Sequence, residues 1–216
     1  MKKSIFLLLV LFPFVALAQQ KSFHQDHEFV DLGLSVKWAT CNVGADSPDE
    51  YGDYFAWGET QPKSYYSWSN YKYWEQGAGF FGNYMKKYCY NQVDGNVDRK
   101  SVLDKNDDAA STNWGGNWRT PTKYELFELR DSCKWEEEIS DDVRGYRVTG
   151  PNGNSIFIPN AAYILGSIHG DRGDKVTLWS SSLNKNVSSK AYLLETYELD
   201  IDYERYLGCP IRPVLE

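Results

Sequence analysis

The sequence predicts an α+β domain in which one main helix packs on a small twisted antiparallel sheet, with long ordered loops joining the elements. Three observations lead to this class. A capped amphipathic segment spans about residues 121–132, an Asn152-Gly153 pair lies between two strand-like runs, and residues 41–100 are rich in turn residues and aromatic rings. A helix, a hairpin and loops held in place by aromatic side chains are typical of an α+β arrangement.

The helix has two alternative start signals. Thr120 is suited to cap a helix whose first residue is Pro121, and Thr122 with Glu125 three residues later has the pattern of a capping box. Both signals start the helix within two residues of each other, and the sequence does not choose between them.

One face of this helix is apolar. Leu126, Leu129 and Cys133 recur at positions i, i+3 and i+7, with Phe127 beside them. Such a stripe must be buried against another element. We therefore expect Leu126 and Leu129, together with Trp118 just before the helix, to anchor the core.

Strand signals follow the helix. Residues 144–149 and 155–159 flank the Asn-Gly pair, which is a strong hairpin signal. A further strand is expected at 176–182, and a strand pair at 190–199 and 202–207.

The two ends of the chain predict shorter strands. Residues 29–40 have the pattern of a strand, a turn and a second strand ending in Trp38. Residues 210–214 contain two prolines, which suit an edge strand because proline cannot donate to a sheet ladder. Residues 19–26 are expected to form a flexible leader before a single domain at 27–216.

Composition narrows the classes of partner. The 216 residues are enough to bury a sizeable core. The 30 acidic and 23 basic residues give a net charge of −7, which argues against nucleic acid and anionic membrane surfaces as partners. Aromatic residues make up 16% of the chain, more than a core of this size needs, so we expect some rings at the surface or in a groove.

Residues 1–18 have the pattern of a secretory signal. Lys2 and Lys3 precede an apolar run at 5–15, and Ala-Leu-Ala at 16–18 matches a cleavage site. We expect cleavage after about Ala18 and export to the periplasm, the cell surface or the medium. No other stretch approaches the roughly 20 apolar residues of a membrane span.

The exported part contains four cysteines, Cys41, Cys89, Cys133 and Cys209. An even number in an exported chain permits two disulfides, and we expect at least one. The alternative is a buried free thiol. For Cys133 this alternative suits the sequence as well as a disulfide does, because Cys133 lies on the apolar stripe of the helix. The spacing does not select among the possible connectivities.

Several ordered blocks carry a resemblance to a known family. They are His27–Thr40, Tyr51–Glu59, Asp107–Ala110, Arg119–Glu125, Gly150–Pro159, Trp179–Ser182 and Ile211–Val214. Together they resemble the secreted bacterial proteins of the Fibrobacter succinogenes major paralogous domain family. The Arg-Thr-Pro-Thr-x-x-Glu block also resembles a segment of the formylglycine-generating enzymes. The resemblance implies a C-type-lectin-like fold.

The resemblance raises the possibility of an oxidase, and the residues argue against it. Formylglycine-generating enzymes use two cysteines a few residues apart near the C-terminal end, acting with copper, whereas Cys209 stands alone there. Related iron-dependent sulfoxide synthases need a His-x3-His-x-Glu cluster, which His24-x-x-His27-Glu28 does not match. An enzyme of this fold is therefore an alternative and not the main prediction.

Other catalytic patterns are also missing. The sequence contains no G-x-S-x-G, no Walker loop and no H-E-x-x-H. The Glu-Pro-Asn and Trp-Asn-Asp triplets of calcium-dependent sugar-binding lectins are absent as well. A carboxylate-based hydrolase is a further alternative, because carboxylate pairs occur at Asp107/Asp108, Asp141/Asp142 and Asp200/Asp202.

Asp104, Asn106, Asp107 and Asp108 have two interpretations. Their oxygen atoms are of the kind that calcium prefers, although the spacing lacks the glycine and the later bidentate glutamate of an EF-hand loop. The interpretation we prefer is that Asp107 or Asp108 caps a short helix at 109–110. No other cofactor is predicted.

The remaining interpretation is an exported recognition module without catalytic activity. In the resembled fold, the part that corresponds to residues 179–206 commonly presents the ligand surface, and tyrosine is enriched in such surfaces. We predict that an exposed face of this segment binds a glycan or an extracellular protein; a structural role at the cell surface is the other alternative. The predicted ligand-binding residues are Trp179, Asn184, Tyr192, Tyr197, Tyr203, Arg205 and Tyr206.

Overall fold

The computed structural model describes residues 22–77, 83–170, 172–196 and 201–216. Most of these residues lie in antiparallel sheets and loops, and helices are few. This agrees with the predicted combination of antiparallel sheet and little helix. The predicted signal segment at 1–18 lies outside the described residues. In the ranges that the structure covers, no helix is long and apolar enough to cross a membrane.

The described strands are short and connected by long loops. They are β1 Ser22–His24, β2 His27–Val30, β3 Lys37–Ala39, β4 Trp74–Gln76, β5 Asn83–Met85, β6 Lys134–Ser140, β7 Val143–Thr149, β8 Ser155–Pro159, β9 Ile164–Leu165, β10 Ile168–His169, β11 Thr177–Leu183, β12 Lys190–Glu195, β13 Asp202–Glu204 and β14 Val214–Leu215. The α-helices are α1 Ala109–Trp114 and α2 Lys123–Ser132, and 3₁₀ turns lie at Trp68–Asn70 and Lys105–Asp107.

The structure selects the second start signal of the main helix. Thr122 caps α2: its Oγ1 accepts a hydrogen bond from the Glu125 amide at 3.3 Å, and the Glu125 carboxylate accepts one from the Thr122 amide at 2.7 Å. Arg119 donates two further hydrogen bonds to the same carboxylate at 2.7 and 2.8 Å. The capping box is therefore fixed from both sides, and the helix begins at Lys123, two residues after the start that a Thr120 cap would give.

The predicted core anchors are confirmed. Leu126 and Leu129 are fully buried beneath α2, in a cluster with the inward side chains of β7 and β8 such as Val148 and Ile158. Trp118 is also buried and packs against Ala39 in a smaller cluster. The apolar stripe of the helix therefore faces the sheet, as its spacing indicates.

The first and last parts of the chain meet in one sheet with the order β1-β2-β3-β14. Val214 of β14 pairs with Trp38 of β3, so the proline-flanked C-terminal strand lies at the edge, as predicted. The prediction of a flexible leader at 19–26 is wrong for Ser22–His24. These residues form β1 and pair with β2, because an extended partner strand with free backbone groups lies directly beside them.

The predicted hairpin is confirmed as β7 and β8, which pair from Gly145 with Pro159 to Thr149 with Ser155. The Gly150 amide closes the turn on the Asn154 carbonyl at 2.8 Å. On the other side of β7 lies β6, an acidic strand that was not among the predicted elements. The remaining predicted strands are also present, with β11, β12 and β13 forming a second three-stranded sheet.

The prediction of at least one disulfide is not met, since all four cysteines are free thiols. Cys209 belongs to the larger core cluster, whereas Cys133 packs against the cluster beneath α2. The Cys89 thiol is buried and lies 3.1 Å from the Asn91 carbonyl, to which it donates. Cys209, Cys133 and Cys89 thus each contact different neighbours.

Candidate functional site

The candidate site is a shallow aromatic groove with a volume of about 490 Å³. It is lined by Tyr65, Tyr66, Ser67, Trp68, Leu165, Gly166, Ser167, Ile168 and Tyr206. None of these residues carries a charge, although charged residues make up 25% of the chain. The groove is thus suited to an uncharged ligand.

Two chain segments distant in sequence form this groove through a pair of backbone hydrogen bonds. The Tyr66 amide donates to the Gly166 carbonyl at 2.8 Å, and the Gly166 amide donates back to the Tyr66 carbonyl at 2.9 Å. Tyr66 is itself buried, and its hydroxyl donates to the Tyr54 carbonyl while accepting from the Lys63 amide. This side chain fixes one wall of the groove to the core.

The opposite wall is the tight turn between β9 and β10. Gly166 adopts a left-handed backbone with φ of +64°, which favours glycine. The turn presents Leu165 and Ile168 to solvent, with exposed fractions of 48% and 73%. Tyr65, 53% exposed, lies next to them. Exposed apolar side chains gathered in one place are typical of a contact surface.

The floor of the groove is formed by aromatic rings that pack edge-on or tilted against one another. The Trp68 and Tyr206 ring centres are 4.8 Å apart at an angle of 62°, and Trp74 lies behind Trp68 at 6.5 Å. Burial and the nearby Glu204 carboxylate raise the pKa of Tyr206. Its hydroxyl is therefore neutral at physiological pH and able both to donate and to accept a hydrogen bond.

The loop carrying Tyr65 and Trp68 is fixed by its own side chains. Asn70 Nδ2 donates to the Tyr65 carbonyl at 2.7 Å, and Asn70 Oδ1 accepts from the Ser67 amide at 3.2 Å. A loop held in this way requires little ordering when a ligand binds, which favours affinity.

Of the predicted ligand-binding residues, Tyr206 lies in the groove. Tyr192 lies in a different cleft, 3.8 Å from Lys123 Nζ to the ring centre. Tyr203 is half-buried and donates its hydroxyl to Glu195 at 2.6 Å. The structure therefore separates these tyrosines instead of gathering them on one face. Tyr197 lies outside the described residues.

Three further predicted residues belong to the interior. Trp179 is 1% exposed and donates its indole hydrogen to the Phe55 carbonyl at 2.9 Å. Asn184 is buried and donates to the Asp202 carboxylate. Arg205 is fully buried. The prediction that Trp179, Asn184 and Arg205 contact a ligand is corrected: their polar atoms already bond within the fold, and they do not reach an exposed face.

Arg205 is surrounded by rings and neutral oxygen atoms. Its guanidinium donates to the Tyr71 hydroxyl at 2.8 Å and to the backbone carbonyls of Tyr88, Ser188 and Lys87 at 2.9 to 3.2 Å. A cation is stabilised on an aromatic face, and a buried donor is stabilised by filling its bonds. Arg205 is therefore a structural residue that joins separate loops.

The preferred interpretation of the acidic segment is confirmed for Asp108, whose carboxylate accepts from the Ser111 amide at 3.1 Å and caps α1. Asp107 accepts from Lys72, Lys87 and Tyr88. Asp104 accepts from Lys100. These three calcium candidates are thus bonded to protein donors. Their companion Asn106 is exposed.

No group of three or more histidine, cysteine or acidic residues in the described ranges is placed to hold a metal ion. The histidines of the His24-x-x-His27-Glu28 segment take part in ring contacts. His27 stacks on Trp114 with ring centres 3.6 Å apart, and His24 accepts a hydrogen bond from the Asn117 amide at 3.3 Å. They hold β1 and β2 against the turn before α2.

The sequence analysis assigned no ligand role to Tyr65, Trp68, Leu165 or Ile168. One signal was available: a cluster of rings at 65–68 in a turn-rich loop, where not every ring is needed in the core. Leu165 and Ile168 flank a Gly-Ser pair, which is typical of a tight turn and so of exposed neighbours. Leu165 and Ile168 line the same groove as Tyr206 only through the tertiary structure, so no local sequence pattern indicates that they lie together.

Comparison with known proteins adds no relative, since no protein family, curated protein or solved structure matches the chain. We therefore infer function from the groove and its chemistry. The groove offers ring faces, apolar side chains and hydroxyl groups, and its lining contains no carboxylate, imidazole, thiol or ammonium group.

Proposed function

We propose that this protein is an exported recognition module without catalytic activity, and that it binds a neutral glycan in the aromatic groove. We also propose that its fold is C-type-lectin-like and related to the Fibrobacter succinogenes major paralogous domain family, as the sequence blocks imply. The observation that carries the proposal is the uncharged lining of a ring-rich groove in a protein of which 25% of the residues are charged.

A sugar ring matches the groove in shape and chemistry. The apolar C–H faces of a sugar pack on aromatic rings, and its hydroxyl groups exchange hydrogen bonds with small polar side chains. Tyr65 supplies an exposed ring, Trp68 and Tyr206 supply a half-buried ring pair, and Ser67 and Ser167 supply hydroxyl groups at the border. A charged ligand finds no counter-ion in this lining.

The same lining supports binding over catalysis. Catalysis by a serine or tyrosine hydroxyl needs a neighbouring general base to activate it, most often histidine, a carboxylate or lysine. The groove lining contains serine and tyrosine hydroxyls but no histidine, carboxylate, lysine or cysteine side chain. Binding in the groove also requires no calcium, because its lining provides no carboxylate to hold the ion.

An extracellular protein is the second candidate partner. Ile168 is 73% exposed and stands beside Leu165, and both can fill an apolar pocket of a partner. Buried apolar anchors of this type contribute strongly to protein interfaces. A protein partner would therefore depend on Ile168 more than a sugar would, whereas a sugar would depend on the ring of Tyr65.

A glycan array with purified protein tests the proposal. Wild-type protein is expected to bind one or more neutral glycans, and Tyr65→Ala is expected to weaken binding about tenfold, because a stacked ring is lost. Phe23→Ala is the matched control, since the Phe23 ring is 61% exposed and lies outside the groove. Equal binding by Tyr65→Ala and wild type would rule out the groove as the glycan site.

Capture experiments with surface proteins distinguish a protein partner, the second candidate, from a glycan ligand. If a protein is the partner, Ile168→Ser abolishes capture and neutral glycans bind poorly. If a glycan is the ligand, Ile168→Ser retains most of the array signal while Tyr65→Ala does not. Catalytic turnover of a bound glycan, measured by mass spectrometry of the released sugars, would overturn the non-catalytic assignment.

A further inference from the structure

A second cavity of about 530 Å³ lies where the sheet of β6, β7 and β8 meets the turn around Gly173. Its volume is typical of sites that bind small molecules. It shares no lining residue with the aromatic groove, and its lining, unlike that of the groove, contains charged side chains. The cavity is therefore suited to a different class of ligand.

The buried amide of Asn160 has an unused acceptor in the lining of this cavity. Asn160 is 5% exposed, and its Nδ2 donates to the Gly173 carbonyl at 3.0 Å. This bond fixes which way the amide faces, and Oδ1 has no hydrogen-bond partner in the described part of the chain. Most buried acceptors in folded proteins are bonded, because an unbonded one is costly. A ligand that donates a hydrogen bond to Asn160 Oδ1 would supply the missing partner.

Two charged side chains of the lining are also unpaired. Arg144 on β7 and Asp174 before β11 carry opposite charges, yet neither forms an ion pair in the described ranges. The other two carboxylates of the lining are engaged within the fold: Glu138 accepts from Arg147 at 2.5 Å, and Glu137 also has a partner. Opposite charges that line one cavity without pairing can be joined by a ligand that carries both charges.

The backbone keeps these residues close together. The Asn160 amide donates to the Arg144 carbonyl at 2.9 Å, and the Gly173 amide donates to the Asn160 carbonyl at 2.8 Å. A β-carbon on Gly173 would lie 4.0 Å from Arg144 Cδ, so the arginine stem passes beside this turn. Ile139, which is 66% exposed, pairs with Arg144 across β6 and β7. A guanidinium group, a buried acceptor and an apolar side chain therefore share one cavity.

We propose that this cavity binds a free α-amino acid with an apolar side chain. The guanidinium group of Arg144 pairs with the carboxylate of the ligand, a geometry for which arginine is well suited. Asp174 and Asn160 Oδ1 accept hydrogen bonds from its ammonium group, and Ile139 contacts its side chain. A simple anion or cation would leave one of the two charged side chains without a partner. The site is separate from the groove and does not depend on glycan binding there.

Calorimetric titration of the protein with L-leucine, L-leucinamide and N-acetyl-L-leucine tests this site. Leucinamide keeps the ammonium group but lacks the carboxylate, and N-acetyl-leucine keeps the carboxylate but lacks the ammonium group. Leucine is expected to bind at least about tenfold more tightly than either derivative, because each derivative loses one charged contact. Absence of leucine binding, or equal affinity for leucine and either derivative, would overturn the proposal.

Substitutions of the two exposed charged residues locate the binding. Arg144→Gln is expected to weaken leucine binding about tenfold and to leave leucinamide binding unchanged, because leucinamide has no carboxylate for the guanidinium group. Asp174→Asn is expected to weaken the binding of leucine and leucinamide alike, because both carry the ammonium group. Unchanged leucine affinity in either variant would contradict the assigned contacts.

Two controls separate this site from the rest of the protein. Lys134→Gln should not change leucine binding, because Lys134 is an exposed residue of β6 that pairs with Glu136 and lies outside the cavity. Tyr65→Ala should also leave leucine binding intact, because Tyr65 belongs to the groove. Failure of this site and failure of the groove are therefore distinguishable. Loss of leucine binding in Lys134→Gln or Tyr65→Ala would place the ligand elsewhere and overturn the proposal.

Discussion

The guanidinium carbon of Arg205 lies 4.8 Å from the centre of the Trp57 ring. The rings of Tyr71, Tyr73 and Tyr88 surround it at 5.3 to 5.8 Å. The four rings lie between residues 57 and 88, and Arg205 is 117 residues beyond Tyr88. This one side chain therefore joins the aromatic loops to the end of β13. The loops that present Tyr65 and Trp68 therefore depend on a buried cation for their position.

Arg205→Met is expected to lower the free energy of unfolding by about 3 kcal/mol or more, because the carbonyl and hydroxyl oxygens that accept from Arg205 lose their donor inside the core. Arg172→Met is the matched control. Arg172 also lies over rings, those of Tyr51 and Tyr54, but is exposed. Urea unfolding followed by tryptophan fluorescence measures both. Equal stability of the two variants would show that the buried arginine contributes no more than the exposed one.

Asp107 gives the protein a pH-dependent stability. Burial alone would raise the pKa of Asp107, but hydrogen bonds from Lys87, Lys72 and Tyr88 outweigh it and hold that pKa well below its ordinary value. A carboxylate whose pKa is depressed on folding stabilises the protein above its unfolded pKa of about 3.9, and this stabilisation is lost as the pH falls below that value.

Thermal melting of wild type and Asp107→Asn between neutral and acid pH measures this contribution. The variant is expected to be less stable at neutral pH. The difference is expected to shrink as the pH falls below about 4, because the unfolded chain then takes up a proton at Asp107 while the folded protein still holds it ionised. Asp131→Asn is the control, since the Asp131 side chain is 60% exposed and pairs only with its neighbour Arg130 in the described part. A difference independent of pH would contradict the role of Asp107.

The sequence predicted those features that depend on local patterns. The capping box of Thr122 and Glu125, the stripe of Leu126 and Leu129 and the Asn152-Gly153 turn are read within a few residues, and the structure contains all three. The helix start was ambiguous because Thr120 has the same capping chemistry. Its amide and hydroxyl bond to Asp108 instead, a contact that helix spacing does not reveal.

The site was less predictable because it depends on which rings face outward. Arg205 lies among tyrosines in the turn after a short strand, and a lone arginine there is ordinarily exposed. Only the tertiary arrangement of its four rings shows that it is buried. For Tyr65 and Ile168 the reason is the same: they meet through the Tyr66–Gly166 backbone bridge, which joins distant segments and leaves no periodic signal.

Leu126→Ala and Leu129→Ala are each expected to lower the free energy of unfolding by about 2 to 5 kcal/mol, because both side chains are fully buried and their removal leaves a cavity. Leu165→Ala is the control, since its side chain is 48% exposed and its loss creates no internal cavity. Denaturant melts followed by circular dichroism measure all three. A midpoint for Leu126→Ala as high as that for Leu165→Ala would contradict the packing of α2.

All four thiols are expected to be free in the folded protein. Intact mass after alkylation of the unfolded chain, without reductant, should show four additions, whereas a disulfide would show two fewer. Burial raises the pKa of Cys209 far above its ordinary value and also raises that of Cys89. Both thiols therefore remain protonated at neutral pH, and alkylation of the folded protein should leave them unmodified while the chain stays folded.

Gly166→Ala tests whether the turn at Gly166 positions the Tyr65 ring for ligand binding. The left-handed backbone at Gly166 disfavours any β-carbon, which costs about 1 kcal/mol. A β-carbon there would also lie 3.3 Å from Tyr65 Cε2, so the ring must move. Gly153→Ala is the matched control, because φ is +87° and nothing lies within 4 Å of the added atom. Thermal melting should show similar losses for both variants. Binding of neutral glycans should fall in Gly166→Ala alone, because only that variant displaces a ring of the groove. An equal loss of binding in Gly153→Ala would mean that recognition depends on the stability of the protein and not on the position of Tyr65.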